Sequence, residues 1–176
     1  MTDDHGDFWR FLTRWRKNFP SRRPLSWENG LLENGYCADC RYCCGPQGSD
    51  KPFPMHLLPR QIGPDTPDNF YLQDKNTALL DHRGCKSCTD HGCRLDFAKR
   101  PVACGLFPLV LANGRLYAYR ICPATIFSSL NELESLGQKA AAWLKDLPED
   151  ELQGISIRLD QKSLSERYID LDIQVF

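Results

Sequence analysis

Four cysteines lie within eight residues in the stretch CADCRYCC, at positions 37–44. A thiolate is a strong metal ligand, and the C-x-x-C spacing lets two sulfurs converge on one ion from a tight turn. The density of thiols therefore predicts a site for zinc, iron or an iron–sulfur cluster. The spacing occurs at three places in the chain: Cys37/Cys40, Cys40/Cys43 and Cys85/Cys88.

The run Cys37, Cys40, Cys43 has the C-x-x-C-x-x-C spacing by which ferredoxin-type chains hold a [4Fe–4S] cluster. In those chains a remote Cys-Pro supplies another ligand, and Cys122-Pro123 has that form. We therefore expect these four cysteines to hold a cluster or iron, with zinc as the alternative. Nearby cations could balance the charge of bound thiolates. They are Arg41, Arg94, Lys99, Arg100 and Arg120.

The redox state of the thiols follows from the rest of the composition. The chain has nine cysteines, and an odd number argues against a closed set of disulfides. The N-terminal residues contain no apolar core of the kind that a secretory signal needs, and no apolar run reaches the ~20 residues of a membrane span. We therefore expect a cytoplasmic protein, whose thiols stay reduced. The net charge of −1 does not favour nucleic acid as a partner.

On these residues the chain resembles the YkgJ-like family, bacterial cysteine-cluster proteins described as zinc- or iron-chelating domains. Its first motif, C-x-x-C-x-x-C-C, matches positions 37–44. Its second motif is a cysteine-containing turn, then Arg-Pro, a cysteine and Phe-Pro, and it matches GCRLDFAKRPVACGLFP at 92–108. A final cysteine after a hairpin matches Cys122. The resemblance covers about residues 36–124 and implies metal binding but no established reaction.

The resemblance also implies a set of eight ligands, which leaves one of the nine cysteines over. Cys88 is closer than Cys85 to the family's usual spacing from Cys93, so Cys85 is expected to be the extra thiol. A competing interpretation pairs Cys85 with Cys88 and frees Cys93 or Cys44. Gly105 departs from the arginine common in the family. The implied ligands are Cys37, Cys40, Cys43, Cys44, Cys88, Cys93, Cys104 and Cys122.

Three functional hypotheses follow. The first is a metal- or cluster-binding protein that serves electron transfer or metal handling. The second is an accessory or catalytic component of a peptide- or protein-modifying enzyme, since the family also resembles the cysteine-cluster part of flagellin lysine methylases. No methyl-donor site and no nucleophile–base pair can be assigned, so catalytic residues stay unknown. The third is a zinc-stabilised interaction module. His91, within CKSCTDHGC, is a further candidate ligand.

The sequence predicts an α+β fold with one small domain. An amphipathic helix over Phe8–Phe19, basic and aromatic, is expected to dock on the domain or to bind a protein partner. The predicted divisions are 1–24 for this helix and its linker, 25–124 for the metal-binding part with a cysteine-bound loop core, and 125–176 for a C-terminal helix and strand tail.

Several elements are predicted from local patterns. Asn113-Gly114 suits a type I′ turn, which predicts a β-hairpin over 109–121. The apolar stripe Ile126, Leu130, Leu133, Leu136, Ala140, Leu144 predicts one long helix over 124–147, with Gly137 as a weak point, stopped by Pro148. Short strands are expected at 70–73, 77–80, 156–160 and 168–176. Residues 45–69, rich in Pro and Gly, predict a loop with at most one short helix near His56–Gln61.

Overall fold

The structure is a computed structural model and describes residues 23–28, 30–47 and 52–176. The helix predicted over Phe8–Phe19, with the partner surface it would carry, lies outside the described residues. The described residues form a mixed α+β fold of short helices and small antiparallel sheets, which confirms the predicted class. None of the described helices is long and apolar enough to cross a membrane.

The cysteine-rich half begins with a pair of strands and a one-turn helix. The pair is β1 (Leu25–Glu28) with β2 (Leu31–Asn34), and the helix is α1 (Cys37–Cys40). In the sheet that follows, β3 (Phe53–His56), β5 (Thr77–Leu80) and β4 (Tyr71–Asp74) lie side by side in that order. This half also contains α2 (Thr66–Asn69), β6 (Cys88–Thr89), β7 (Gly92–Cys93), α3 (Val102–Leu106) and the 3₁₀ turns Pro59–Gln61 and Phe97–Lys99.

The second half is built on one hairpin and a strand that pairs with it from the far end of the chain. In this sheet β9 lies between β10 and β8, and all pairs are antiparallel. The elements are β8 (Leu109–Ala112), β9 (Arg115–Tyr119), α4 (Pro123–Phe127), α5 (Leu130–Lys145), α6 (Glu149–Ile155), α7 (Gln161–Arg167) and β10 (Tyr168–Gln174).

The β8–β9 hairpin confirms the strongest local prediction. Asn113 has φ 49° and Gly114 has φ 78°, so both central residues occupy the left-handed region that a type I′ turn requires. The strands predicted at 70–73 and 77–80 correspond to β4 and β5 within one residue. Local turn chemistry and alternation were sufficient for these elements.

The single long helix predicted over 124–147 is wrong, because the chain breaks between α4 and α5. Ser129 begins α5 as its N-cap, and its hydroxyl accepts from the amide of Glu132 while the Glu132 carboxylate accepts from the amide of Ser129. This capping box favours a new helix start over continuation. Ile126 and Leu130, expected in the apolar stripe, are 42% and 50% exposed.

Further elements differ from the sequence expectation. The passage 45–69 contains β3, in which Pro54 is tolerated because β3 is an edge strand of its sheet. Residues 156–160 form no strand, and Ile157 makes an isolated bridge with Ala112. Helices α6 and α7 were not predicted at all. Their seven-residue lengths give too few turns for a clear periodic pattern.

The largest apolar core lies between α5 and the β10–β9–β8 sheet. Leu133, Leu136, Ala140 and Leu144 of α5 are buried there together with residues of β10. A side chain at Gly137 would place its Cβ 2.6 Å from Cδ1 of Ile173, so this glycine allows the close approach of helix and strand. The sheet that leads to Cys122 is therefore anchored by the main core.

Candidate metal centre

Five cysteines line one small cavity, and we call them the first thiol group: Cys37, Cys40, Cys43, Cys44 and Cys122. The volume of the cavity is about 20 Å³, enough for one body the size of a water molecule. Aromatic side chains complete much of the wall. They are Tyr36, Tyr42, Phe107 and Tyr119. Cys122 is remote in sequence from the other four, so the chain fold itself brings the group together.

The local backbone explains how four of these thiols reach one place. Helix α1 makes a single turn with Cys37 and Cys40 at its ends. Arg41 then adopts a left-handed conformation, φ 50°, which ends the helix. The amide of Gly45 donates to the carbonyl of Arg41 over 2.9 Å and closes a turn around Cys43 and Cys44. Tyr36, buried before the helix, stacks on Phe127 at 5.7 Å between ring centroids.

The turn after β9 presents Cys122 to this segment. The amide of Cys122 donates to the carbonyl of Tyr119 over 3.2 Å, and Cys122 is the N-cap residue of α4. The side-chain amide of Asn34 donates to Sγ of Cys122 at 4.0 Å and accepts from the amide of Tyr36 at 3.0 Å. Asn34 therefore links the strand that precedes α1 to the remote cysteine.

The other four cysteines form what we call the second thiol group: Cys85, Cys88, Cys93 and Cys104. Cys88 and Cys93 are direct register partners in the β6–β7 hairpin. The amide of Cys88 donates to the carbonyl of Cys85 over 3.0 Å, which folds the C-x-x-C turn. Cys104, on α3, has its Sγ 3.7 Å from Sδ of Met55. Cys85, Cys93 and Cys104 pack against the same apolar cluster around Met55.

The two cysteine segments meet backbone to backbone. The amide of Cys85 donates to the carbonyl of Cys44 over 2.8 Å. Gly84, φ +78°, lies beside this bond, and a Cβ there would come within 3.1 Å of the Cys44–Pro46 backbone. Gly92 of the β6–β7 hairpin lies against Ala38 of α1, since its Cβ would be 3.3 Å from Cα of Ala38. These close approaches require residues without side chains.

Burial and neighbouring thiols disfavour ionisation of most of the cysteines. Burial first, and then the neighbouring thiols of Cys122, Cys44 and Cys40, raise the pKa of Cys37 to about 12, and Arg100 opposes them. Burial also raises the pKa of Cys122 and of Cys85 to about 11. These thiols are protonated at neutral pH, and a bound cation would favour their ionised form.

Backbone amides face three of the thiols from the residue two positions along the chain. The amide of Tyr42 faces Cys40, that of Ser87 faces Cys85, and that of Ala124 faces Cys122. Burial is the larger effect and raises all three pKa values, and the amides oppose it in part. Amide donors to sulfur stabilise thiolates in metal–sulfur sites, so this arrangement suits ligands.

Cys44 differs from the other thiols in its ionisation. The Cys43 thiol donates a hydrogen bond to it and is the largest cause that lowers the pKa of Cys44 to about 7, with Arg100 and Cys88 adding to the effect against burial. The pKa of Cys43 is raised correspondingly, because Cys43 keeps the proton of this bond. Cys44 thus contacts Cys43 of the first thiol group and Cys88 of the second.

Two of the five expected cations face the cysteines. Arg100 lowers the pKa of Cys37 and of Cys44, and Arg41 lines the cavity. The other three bond elsewhere: Arg94 to the carbonyl of Asp68 at 2.6 Å, Lys99 to the carboxylate of Asp65 at 3.2 Å, and Arg120 to the carbonyl of Tyr168 at 3.0 Å.

His91, the histidine named as a candidate ligand, lies apart from the cavity lining, as do His56 and His82. His91 is exposed at the tip of the β6–β7 hairpin, where its amide donates to the Thr89 hydroxyl. The ring of His82 is 4.0 Å from the Asp81 carboxylate, and His56 packs against Gly154. Among the described residues that line the cavity, no histidine or carboxylate is found.

Sequence reasoning missed the neighbours that shape the site. Asn34 and Tyr119 belong to no sequence motif, and both line the cavity only because of the tertiary fold. At Gly105, where the family commonly has arginine, a Cβ would overlap the side chain of Leu31. Gly105 is buried and serves the contact between α3 and β2.

The donor chemistry fits a thiophilic metal, since cysteine sulfurs are the soft donors of the cavity. The sulfurs are not, however, preset at ligand spacing. Within 23–28, 30–47 and 52–176, no group of three or more Cys, His, Asp or Glu side chains is arranged to hold a metal ion. Comparisons of the chain with protein-family models, with curated proteins and with solved structures give no match.

Proposed function

We propose that this protein binds a metal through the first thiol group, with Cys37, Cys40, Cys43 and Cys122 as ligands. The metal is a [4Fe–4S] cluster or iron, with zinc as the alternative, and the role is electron transfer or metal handling. The observation that carries the proposal is the shared cavity, in which Cys122 joins three cysteines of the C-x-x-C-x-x-C run.

The residues around the cavity favour a metal site over a cluster of thiols that merely pack in the core. A core that merely packed cysteines would not need donors aimed at them, yet Asn34 and the Ala124 amide both face Cys122. Arg100 and Arg41 supply positive charge beside thiols that must lose protons on binding a cation. The motif resemblance to the YkgJ-like family leads to the same expectation.

The volume of the cavity favours a single metal ion over an iron–sulfur cluster. About 20 Å³ suits a single ion, whereas an iron–sulfur cluster would require the sulfurs to move apart. A cluster would supply one-electron chemistry, and a zinc ion would supply stability. In either case Arg41 and Arg100 would balance thiolate charge and Asn34 would donate a hydrogen bond to Cys122, while Tyr36 and Phe107 line the site.

The test is purification of the full chain without oxygen, followed by a visible spectrum and elemental analysis for iron, zinc and acid-labile sulfide. Broad visible absorption with iron and sulfide supports the cluster, and a colourless protein with zinc supports the alternative. The Cys37→Ser and Cys122→Ser variants should each lose the metal of this site. Wild-type protein that binds neither iron nor zinc after reconstitution would contradict the proposal.

A further inference from the structure

Two large apolar side chains are exposed where α4 ends and α5 begins. Ile126 is 42% exposed and Leu130 is 50% exposed, and at most roughly 14 Å of chain separates them. Phe127, between them in sequence, is half-buried. We call these three residues the α4–α5 patch. Single exposed apolar side chains are common, whereas neighbouring ones mark a surface on which another segment or protein packs.

The patch is connected to the point at which the described chain begins. The ring of Phe127 stacks on that of Tyr36 at 5.7 Å between centroids, and the hydroxyl of Tyr36 accepts from the amide of Arg23 over 2.9 Å. The guanidinium of Arg23 also donates to the carbonyl of Gly35 and pairs with the carboxylate of Asp39. Residue 23 is therefore held in place one aromatic pair away from the patch.

The residues that precede this anchor have an apolar face suited to the patch. The sequence predicts an amphipathic helix over residues 8–19, which we call the N-terminal segment, with four apolar residues on one face. They are Phe8, Phe11, Leu12 and Trp15. Five Lys and Arg residues and no Asp or Glu occur between positions 8 and 22. Glu132 and Glu134 lie in the first turns of α5, close after Leu130, so charge also favours docking on this side.

The linker limits where the N-terminal segment can lie. Only residues 20–22 separate it from Arg23, and an extended chain advances about 3.3–3.6 Å per residue. Residue 19 must therefore lie within roughly 14 Å of residue 23. A helix of twelve residues is about 18 Å long. From this anchor it is long enough to cover both Ile126 and Leu130.

We propose that the N-terminal segment docks on the α4–α5 patch of its own chain, with its apolar face on Ile126, Phe127 and Leu130. Its basic side chains then lie beside the acidic first turns of α5. Tyr36 stacks under the patch and also lines the thiol cavity, so the docked segment borders the cavity. The inference does not depend on metal binding, and it stands or falls separately from the proposed function.

The experiment is limited digestion of the full chain with trypsin, which cuts after the basic residues of the segment. Mass spectrometry follows cleavage after Arg14, Arg16 and Lys17, and a synthetic peptide of residues 1–22 gives the rate for an undocked segment. Because proteases cut the open form of a docked segment, the cleavage rate reports the population of that form. We expect cleavage in the wild-type chain to be slower than in the peptide by about tenfold or more.

A matched pair of variants locates the docking surface. The double variant Ile126→Ser/Leu130→Ser should be cut at nearly the rate of the peptide. The control Ile62→Ser/Leu72→Ser changes two apolar side chains that are each 38% exposed on other elements, and it should keep the wild-type rate. Thermal unfolding checks that both variants are folded.

A second measurement starts from the segment and does not alter the patch. Trp15 belongs to the predicted apolar face, whereas Trp9 lies off it by helical spacing. Trp15→Ser should raise the hydroxyl-radical oxidation of Ile126 and Leu130 severalfold, and Trp9→Ser should not. This pair decides if the double variant of the patch does not fold.

Three results would overturn the inference. The first is a wild-type chain that is cut as fast as the peptide. The second is an equal effect of the patch variant and its control, or of Trp15→Ser and Trp9→Ser. The third is protection that disappears on dilution together with a dimer seen by size-exclusion chromatography, since the segment would then dock on a second copy of the chain.

Discussion

The amide of Cys85 donates to the carbonyl of Cys44 over 2.8 Å, so the two cysteine segments are joined through their backbones. A serine at either position leaves this bond in place, because the side chains do not take part in it. Losses of metal in such variants therefore report on the sulfur atoms and not on the connection between the segments.

Replacement of Gly84 by alanine should disturb this junction. Gly84 has φ +78°, and its Cβ would lie 3.1 Å from backbone atoms of Cys44–Pro46, so Gly84→Ala should lower the free energy of unfolding by about 1–2 kcal/mol or more. Gly45→Ala is the matched control, since its Cβ would make ordinary contacts of 3.4 and 3.5 Å. Urea unfolding measures both. Equal stability in the two variants would contradict the described packing.

Removal of the metal should unfold most of the cysteine-rich half. Structural thiolate sites contribute on the order of 10 kcal/mol at neutral pH, which is comparable to the stability of a whole domain. The apolar cluster beside the second thiol group has six buried residues, against eighteen in the main core. Strong chelation should therefore unfold residues 36–104, and circular dichroism should show it. An unchanged spectrum and melting temperature would mean that the metal is not structural.

Metal affinity should rise with pH. Burial raises the pKa of Cys37 to about 12 and that of Cys122 to about 11, so both are protonated at neutral pH and must release a proton on binding. Each released proton changes the affinity by about tenfold per pH unit, and acidification weakens binding. Competition with a chromophoric chelator measures the slope. An affinity independent of pH would show that the thiols were already ionised.

The packing of Gly105 against Leu31 can be tested by a double-mutant cycle. Gly105→Ala should destabilise the protein by about 1–3 kcal/mol, because the added methyl group overlaps a buried side chain. Leu31→Ala removes that side chain, so the double variant should be more stable than the sum of the single effects predicts. Strict additivity in thermal unfolding would show that the two residues do not touch.

The elements predicted well from the sequence are those that local chemistry decides. Asn113-Gly114 specifies its turn regardless of the rest of the chain, and the C-x-x-C-x-x-C run places its thiols within one helical turn and the bend that follows it. The break before α5 carried a readable signal too, the pair Ser129 and Glu132. The continuous apolar pattern by itself predicts one helix across this break, whereas the capping box of Ser129 and Glu132 begins a new helix there.

The rest depended on contacts between distant segments. Pairing of β10 with β9 joins Tyr168 to Tyr119, and no local pattern contains that register. The place of Cys85 beside Met55, and of Cys44 between two groups, likewise follows from how hairpins and helices pack. The spacing shows which thiols are close in sequence, but it does not show which are close in space. Cys44, for example, forms a hydrogen bond with Cys88 of the β6–β7 hairpin.

The β9–β10 pairing also bears on the order in which the protein can mature during synthesis. Strand β10 follows every cysteine in the chain, and the junction between α7 and β10 holds the turn that leads to Cys122. The amide of Arg120 donates to the carbonyl of Arg167, the last residue of α7, and its guanidinium donates to the carbonyl of Tyr168, the first residue of β10. On the ribosome, all nine thiols emerge before the strand that steadies this turn. The contacts that hold the turn before Cys122 can therefore form only after translation has passed residue 168.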